Sequence, residues 1–237
     1  MLTILIHKCC LGGSAWACLP PALALDLNEM AFRSAPSMHQ DSLVAKDLPR
    51  VIKPKRHVDS RGWFSETYKE KALNDVGITC RFVQDNQSSS QRAGTVRGLH
   101  FQRPPAAQAK LISVLRGSIL DVAVDIRGGS PSLGKHVAAE LSAQSGYQLY
   151  VPIGFAHGFI TLEDDTVVLY KVSDYYAPAQ ESGLRWDDPD IAIAWPLQGQ
   201  DVTISEKDRR LPLLREFASP FTYSGCPLGA LAVVELG

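Results

Sequence analysis

Apolar and polar residues alternate along several short segments in the middle of the chain. The period of two predicts half-buried β-strands in three of them: Ser118 to Arg127, His136 to Ala143 and Thr166 to Tyr176. In the first segment every second residue from Leu120 to Ile126 is apolar, whereas Asp121 and Asp125 fall on the other face. The third segment puts Tyr170 and Tyr176 on its apolar face. The middle of the chain is therefore predicted to be rich in strands.

Turn residues separate these segments. The run from Gly128 to Pro131 follows the first strand, and the run from Glu163 to Asp165 precedes the third. The clearest helix prediction covers Thr67 to Val76, with Gly77 as its stop. Many short strands at this spacing are typical of a β-sandwich or barrel. Neither a G-x-G-x-x-G motif nor a complete P-loop accompanies them, which disfavours a Rossmann dehydrogenase or a nucleotide hydrolase.

The two ends of the chain differ from this patterned middle. An uncharged stretch from Cys9 to Leu25 ends at an A-x-A pattern and resembles a secretory signal peptide. Glycine and proline interrupt it, and it is shorter than the ~20 apolar residues of a spanning helix. We expect residues 1–47 to be an extension outside the fold, translated from a start before Met30 or Met38, so that a chain starting at Met38 keeps folding and turnover; a cleaved signal peptide is the alternative. Residues 48–217 are expected to form one domain, and residues 218–237 a C-terminal tail.

Composition narrows the classes of partner. The chain carries 24 Lys and Arg against 25 Asp and Glu, so its net charge is −1 and it offers no broadly basic surface for nucleic acid. A few well-placed cations can still bind an anionic small molecule. The five cysteines form no C-x-x-C pair, which favours neither a disulfide framework nor a zinc site. We therefore expect a cytoplasmic protein with no nucleic-acid and no membrane partner.

Glycine and histidine residues recur at two sets of defined spacings. The first set is Gly94, His100, Gln102, Lys110 and Gly117, and the second is Gly146, Pro152, Gly154, His157 and Thr161. They resemble the two motifs of the cupin superfamily, which implies an all-β, cupin-type jelly roll (a double-stranded β-helix) with a few short helices. Metal-binding cupins have a second histidine and an acid where this chain has Gln102 and Lys110. Protonated lysine is no ligand and glutamine is a poor one, so we expect no metal.

Six local segments make the resemblance more specific. They are Arg61-Gly62-Trp63-Phe64-Ser65-Glu66, Phe82-Val83-Gln84-Asp85-Asn86, Arg97-Gly98-Leu99-His100-Phe101-Gln102, Gly154-Phe155-Ala156-His157-Gly158-Phe159, Leu169-Tyr170-Lys171 and Ser205-Glu206-Lys207-Asp208. Together they resemble the dTDP-4-dehydrorhamnose 3,5-epimerase family over about Val51 to Leu214. The departures are Trp63, where the family prefers Phe, and Gln87, where His is common. The family's substrate has a C4 ketone that acidifies the hydrogens at C3 and C5.

The resemblance implies four catalytic residues. His100 is expected to be the base, because imidazole titrates near neutral pH. Asp208 is expected to orient it, although Ser205-x-x-Asp208 is also a capping-box pattern, so a helix-capping role stays open. Tyr170 is expected to be the acid on the opposite face of the sugar, and Lys110 to stabilise the enolate oxygen.

The resemblance also implies a set of substrate-binding residues. They are Arg61, Phe64, Glu66, Gln84, Asn86, Arg97, His157, Tyr176, Glu181 and Lys207. Cationic side chains suit phosphate oxygens, and Tyr176 is expected to stack on the thymine ring. Strict alternation puts Arg97 and His100 on opposite faces of one strand, and a bulge at Gly98 would bring both inward.

The activity that the resemblance implies is epimerisation of dTDP-4-dehydro-6-deoxy-D-glucose at C3 and C5, a step of dTDP-L-rhamnose biosynthesis, without a cofactor. The alternatives are epimerisation at C3 or C5 alone, a metal-dependent cupin oxygenase, and a non-catalytic sugar-nucleotide-binding cupin. Gln102 and Lys110 disfavour the oxygenase, and His100 with Tyr170 disfavours the non-catalytic cupin. We expect a homodimer, because a jelly roll has sheet edges to cover, with Arg61 to Glu66 exchanged into the partner's pocket.

Overall fold

The computed structural model describes residues 47–197, 199 and 201–237. The predicted extension, residues 1–47, lies outside this part of the chain except for its last residue. The strands are β1 (Arg50–Lys53), β2 (Arg56–Asp59), β3 (Gly62–Ser65), β4 (Gln84–Ser90), β5 (Val96–Gln102), β6 (Lys110–Arg116), β7 (Ser118–Asp125), β8 (His136–Ser142), β9 (Gln148–Val151), β10 (Phe155–Thr161), β11 (Thr166–Val172), β12 (Glu181–Gly183) and β13 (Ala232–Glu235). The α-helices are α1 (Glu70–Asp75) and α2 (Glu206–Arg209). Within the described ranges, no helix is long and apolar enough to cross a membrane.

Two facing sheets form the body of the domain. One has six strands in the order β13-β1-β9-β6-β11-β4, and the other has five in the order β12-β5-β10-β7-β8. The main hydrophobic core lies between them and combines Ile112 and Leu149 of the first sheet with Ile119, Phe155 and Phe159 of the second. This is the jelly-roll arrangement that the sequence predicts. Strands β2 and β3 form a separate hairpin.

Strand β7 is buried on both faces, so the prediction of a half-buried strand was wrong. It lies between β10 and β8 in its sheet. Ile119 and Ala123 face the main core, while Val122 and Val124 belong to a second buried cluster. Asp121 lies on the same face of the strand as Ile119 and Ala123 and is fully buried. The period of two was therefore right, but it could not show that the polar face would also be covered.

Two predicted elements have different limits in the structure. Helix α1 begins three residues later than predicted, because the backbone of Lys69 is extended (φ −147°, ψ 107°). The carbonyl oxygen of Thr67 accepts a hydrogen bond from Gln148 Nε2 (2.9 Å). Gly77 follows the helix at φ +83°, as a stop residue should. Strand β11 ends at Val172, so Tyr176 lies in the following loop rather than on the strand.

Residues 218–237, which we expected to be a tail, pack on the domain. Phe221 is buried, and its ring lies 5.8 Å from that of Phe101 in an edge-to-face contact. Strand β13 pairs in parallel with β1 along the edge of the six-stranded sheet. Leu236 joins a third buried cluster with Ile52. The segment therefore covers apolar surface and a strand edge that would otherwise face water.

Ending the chain after Phe217 should destabilise the domain. The deletion removes Phe221 and Leu236 from two buried clusters, and each large apolar side chain contributes about 2 kcal/mol when buried. We expect urea denaturation to show a free energy of unfolding lower by about 3 kcal/mol or more. The control Val233→Thr changes an exposed side chain of β13 and should stay within about 0.5 kcal/mol of the parent. An unchanged urea midpoint in the truncated chain would contradict this account.

Candidate active site

A cavity of about 690 Å³ lies between the two sheets next to helix α2. It brings ten of the candidate residues together: Asn86, Arg97, His100, Lys110, His157, Tyr170, Tyr176, Glu181, Lys207 and Asp208. A second cavity, of about 590 Å³, is lined by residues such as Tyr150 and Phe221, and no candidate residue is among the described residues that line it. The first cavity is therefore the candidate active site.

A bulge in β5 turns Arg97 and His100 toward the same cavity. The pairing of β5 with β10 shifts by one residue between these two positions, so one extra residue of β5 is accommodated there. Gly98 lies in the bulge at φ +121°, and a Cβ on it would come within 2.6 Å of the Cα of Gly158. Only glycine fits both the backbone angle and the close contact. The bulge that we predicted at Gly98 is confirmed.

His100 and Asp208 form a hydrogen-bonded pair. His100 Nε2 lies 2.8 Å from Asp208 Oδ1, and because an ionised carboxylate only accepts, Nε2 donates and Nδ1 is left free to take up a proton. The Gly98 N–H donates to Asp208 Oδ2 (3.3 Å). Burial by itself would raise the pKa of Asp208, but the contacts with His100 and Gly98 hold it below its usual value. Asp208 is therefore an ionised partner that fixes the tautomer of His100.

Helix capping and histidine pairing use different atoms of the α2 segment. Ser205 Oγ accepts a hydrogen bond from the backbone N–H of Asp208 (3.0 Å), which caps the helix. The Asp208 carboxylate makes its bonds to His100 and Gly98 instead of capping the helix. The two interpretations of the Ser205-x-x-Asp208 pattern are therefore compatible.

A second histidine–aspartate pair lies deeper between the sheets. His157 Nε2 donates to Asp121 Oδ1 at 2.6 Å, and both side chains are buried. Burial lowers the pKa of His157. Asp121 raises this pKa in part, and the nearby Lys110 and His100 lower it further. His157 is therefore a neutral imidazole at the floor of the cavity. Asp121 was missed as a functional candidate, and the signal that could have found it is an acid placed among apolar residues of a central strand.

Lys110 projects from β6 into the cavity. Its Nζ donates to the backbone oxygen of His100 at 3.2 Å. Burial lowers the pKa of Lys110 to about 8, although the negative charges of Asp121 and Glu181 raise it in part. Lys110 is thus a cation at neutral pH that lies close to the point at which it loses its proton.

Tyr170 faces the cavity from the sheet opposite His100. It lies on β11 of the six-stranded sheet, whereas His100 lies on β5 of the five-stranded sheet. Burial raises the pKa of the Tyr170 phenol, with Arg97 lowering it and Glu181 raising it further. The phenol therefore keeps its proton at neutral pH. A ligand between the sheets would have an imidazole on one side and a phenol on the other.

Polar contacts join the groups at the mouth of the cavity. Glu181 Oε2 accepts a hydrogen bond from the Tyr176 hydroxyl (2.7 Å) and forms an ion pair with Lys207 Nζ (2.6 Å). Gln84 lies just behind them: its Oε1 accepts from the Tyr176 N–H (3.1 Å), and its Nε2 donates to Asn86 Oδ1 (2.8 Å). Gln84 therefore supports the site without lining the cavity.

The three candidates on the β2–β3 segment lie away from this cavity. Arg61 pairs with Asp59 at 2.6 Å, and Glu66 pairs with Lys69 at 2.8 Å, all near the protein surface. The Phe64 side chain is 67% exposed. A single chain therefore does not bring Arg61, Phe64 or Glu66 to the site that the other candidates form.

The cavity lacks the ligand arrangement of a metal-binding cupin. Gln102 donates to the backbone oxygens of Ala106 and Tyr175 and accepts from the Ala177 N–H, so its amide is occupied. Over residues 47–197, 199 and 201–237, no group of three His, Cys, Asp or Glu side chains is placed to hold a metal ion. The absence of a metal remains a prediction.

Comparison with known proteins identifies the family. Residues 47–216 match the family model for dTDP-4-dehydrorhamnose 3,5-epimerase. The chain belongs to this family. It is 51% identical over 178 residues to a dTDP-4-dehydrorhamnose 3,5-epimerase of Sinorhizobium fredii, a match that covers 73% of this chain and 89% of the relative.

Two solved structures illustrate the range of similar folds. The dTDP-6-deoxy-D-glucose-3,5-epimerase of Legionella pneumophila, in complex with dTDP-4-keto-L-rhamnose, aligns with a TM-score of 0.71 at 43% identity and covers 75% of this chain and 94% of its own. A 3'-monoepimerase of Streptomyces bikiniensis, in complex with dTDP-quinovose, aligns with a TM-score of 0.66 at 32% identity and covers 70% and 84%. Enzymes that epimerise at one position therefore share this fold.

Lys110 should titrate near pH 8. Burial disfavours its charged form, so a lysine resonance in NMR of protein labelled with ¹³C at lysine Cε should titrate well below the usual range for lysine. The resonance should vanish in Lys110→Arg and remain in Lys71→Arg, which changes an exposed lysine of α1. If every lysine titrates above about pH 9.5, close to the unperturbed value, Lys110 is not desolvated as described.

Proposed function

We propose that the chain epimerises dTDP-4-dehydro-6-deoxy-D-glucose at C3 and C5, giving dTDP-4-dehydro-L-rhamnose. The observation that carries the proposal is the cavity between the sheets, with the His100–Asp208 pair on one wall and the Tyr170 phenol on the other. Inversion at a carbon needs a proton removed from one face and a proton delivered to the other. The arrangement supports this chemistry without a redox step.

The first step is removal of a proton next to the C4 ketone. His100 Nδ1 takes the proton from C3 or C5, and the electron pair of the C–H bond moves into an enolate with its negative charge on the C4 oxygen. Asp208 stabilises the imidazolium that results, because its ionised carboxylate accepts from Nε2 at 2.8 Å. The Lys110 ammonium balances the charge on the enolate oxygen within the cavity.

The second step delivers a proton to the opposite face. The protonated phenol of Tyr170 gives its proton to the carbon, and the enolate returns to the ketone. Arg97 lowers the pKa of this phenol and so stabilises the phenolate that forms. Solvent then reprotonates the phenolate and takes the proton from His100, which restores both groups for the second carbon. His157, held neutral by burial, assists as a binding group.

Epimerisation at C3 alone is the second candidate function. The observation that favours it is the similarity to the Streptomyces bikiniensis 3'-monoepimerase. The relatives at higher identity, 51% and 43%, are named as 3,5-epimerases, so we give the reaction at both carbons first place. The product distinguishes the two, because only the 3,5-epimerase inverts C5.

Exchange and inversion should separate in variants of the two proton-transfer residues. In deuterium oxide, His100→Asn should lose deuterium uptake at both carbons, because no base forms the enolate. Tyr170→Phe should lose inversion but keep some exchange, because His100 can return a deuteron to the original face. Each loss should be about 10²- to 10⁴-fold, measured by NMR of the substrate.

A matched control is available in the neighbouring loop. Tyr175 is 67% exposed, and Tyr175→Phe should keep both exchange and inversion. If Tyr170→Phe abolishes exchange as fully as His100→Asn while its fold is intact, the assignment of one group to each face is wrong. If the wild-type chain exchanges neither carbon, the proposed reaction is wrong.

We further propose that the active form is a homodimer in which the β2–β3 hairpin completes the partner's site. The hairpin exposes three large apolar side chains, Val58, Trp63 and Phe64. A cluster of exposed apolar side chains is typical of an interaction surface. Arg61 and Glu66, expected to bind substrate, lie away from the cavity of their own chain. Contact with a second copy would cover the apolar side chains and bring the charged ones to a cavity.

Mixing two inactive variants should restore activity. In a heterodimer of Arg61→Ala with His100→Ala, one site receives Arg61 and His100 from different chains and the other site receives neither. After subunit exchange at equal concentrations, about a quarter of wild-type activity should return. The unmixed variants are the controls. If mixing restores nothing although sedimentation shows that heterodimers form, the hairpin does not serve the partner's site.

A further inference from the structure

One carboxylate oxygen connects side chains from a strand, a helix and a loop at the mouth of the cavity. Glu181 Oε2 forms an ion pair with Lys207 Nζ at 2.6 Å and accepts a hydrogen bond from the Tyr176 hydroxyl at 2.7 Å. Glu181 lies on β12, Lys207 on α2 and Tyr176 in the loop after β11. All three residues line the cavity. The contacts hold an ammonium and a phenol next to each other at the entrance.

Of the three side chains, Glu181 is the most firmly placed. Its backbone pairs with Gln102 on β5, and its side chain is 21% exposed. The Lys207 side chain is 59% exposed and Tyr176 is 54% exposed. A lysine at such a position has many rotamers, and fixing them on ligand binding costs free energy. Glu181 is therefore the least exposed of the three, and it contacts both of the more exposed side chains.

We propose that Glu181 is a positioning residue, which orients Lys207 toward the diphosphate and Tyr176 toward the thymine ring instead of binding substrate itself. This inference rests on the proposed function, which supplies a thymidine diphosphate as the ligand. Direct contact between the Glu181 carboxylate and a diphosphate would be repulsive, so the carboxylate gains nothing as a phosphate-binding group.

The sign of the effect on affinity separates this role from simple electrostatics. Removing a negative charge near a dianionic ligand should tighten its binding if charge alone matters. If Glu181 orders Lys207, removing its charge should instead weaken ligand binding, because the ligand must then order the Lys207 side chain itself. Glu181→Gln keeps an acceptor for the Tyr176 hydroxyl but loses the ion pair with Lys207. Glu181→Ala loses both contacts.

Calorimetric binding of dTDP and of thymidine at pH 7 tests the role without turnover. We expect Glu181→Gln to weaken dTDP binding about 3- to 10-fold and to leave thymidine binding unchanged, whereas Glu181→Ala should weaken both. In a Lys207→Met background, Glu181→Gln should have no further effect on dTDP. Glu206→Gln, which removes an exposed carboxylate of the same helix α2, is the matched control and should bind both ligands like the wild type.

Steady-state kinetics at pH 7 supply an independent readout. KM should rise by the same factor as the dTDP dissociation constant in Glu181→Gln, with kcat within about twofold, because the proton-transfer groups keep their contacts. Unchanged or tighter dTDP binding in Glu181→Gln overturns the positioning role and leaves the proposed function standing. If the wild-type chain fails to bind dTDP, the proposed function falls and this inference falls with it.

Discussion

An ionised side chain between two apolar sheets has to be paired, and this requirement shapes the interior of the domain. An unpaired carboxylate there would cost several kcal/mol. Asp121 accepts a hydrogen bond from the N–H of His157 and interacts with the charge of Lys110, whereas Asp208 accepts from His100 and a backbone N–H. His100 and His157 are opposite each other where β5 pairs with β10, so the two pairs adjoin: Asp121 reaches His157 from β7 and Asp208 reaches His100 from α2. The site therefore lies where the fold can hold charge in its interior.

The two histidine–aspartate pairs differ in access to solvent, and this difference suits them to different roles. The side chain of His100 is 31% exposed at the cavity, whereas that of His157 is 7% exposed. A group that exchanges protons with a ligand and then with water needs access to both. His157 lines the cavity but has little access to water, and burial lowers its pKa, so it stays neutral. Similar pairs can thus serve as a proton carrier in one place and as a fixed part of the cavity floor in another.

Sequence patterns predicted the parts of this site that depend on local geometry. Alternation gave the strands, and Gly98 in a strand that also carries Arg97 and His100 gave the bulge, because glycine marks a backbone position that other residues avoid. Asp121 was missed, because a period of two assigns faces without telling which of them are covered. Arg61 lies away from the cavity of its own chain, and the alternation of residues along one strand does not show whether a second copy brings it to a site.

The site draws its residues from two kinds of element, strands inside the sheets and segments outside them. Proton transfer tolerates little displacement, and His100, Lys110 and Tyr170 lie on strands inside the two sheets. Tyr176 and Lys207, which we propose bind the nucleotide, lie on a loop and on a helix of one turn. Under the proposed function, a change in this loop would alter how the ligand is held without moving His100 or Tyr170, which lie on strands. This separation gives a physical reason why enzymes that epimerise one carbon or two share the fold.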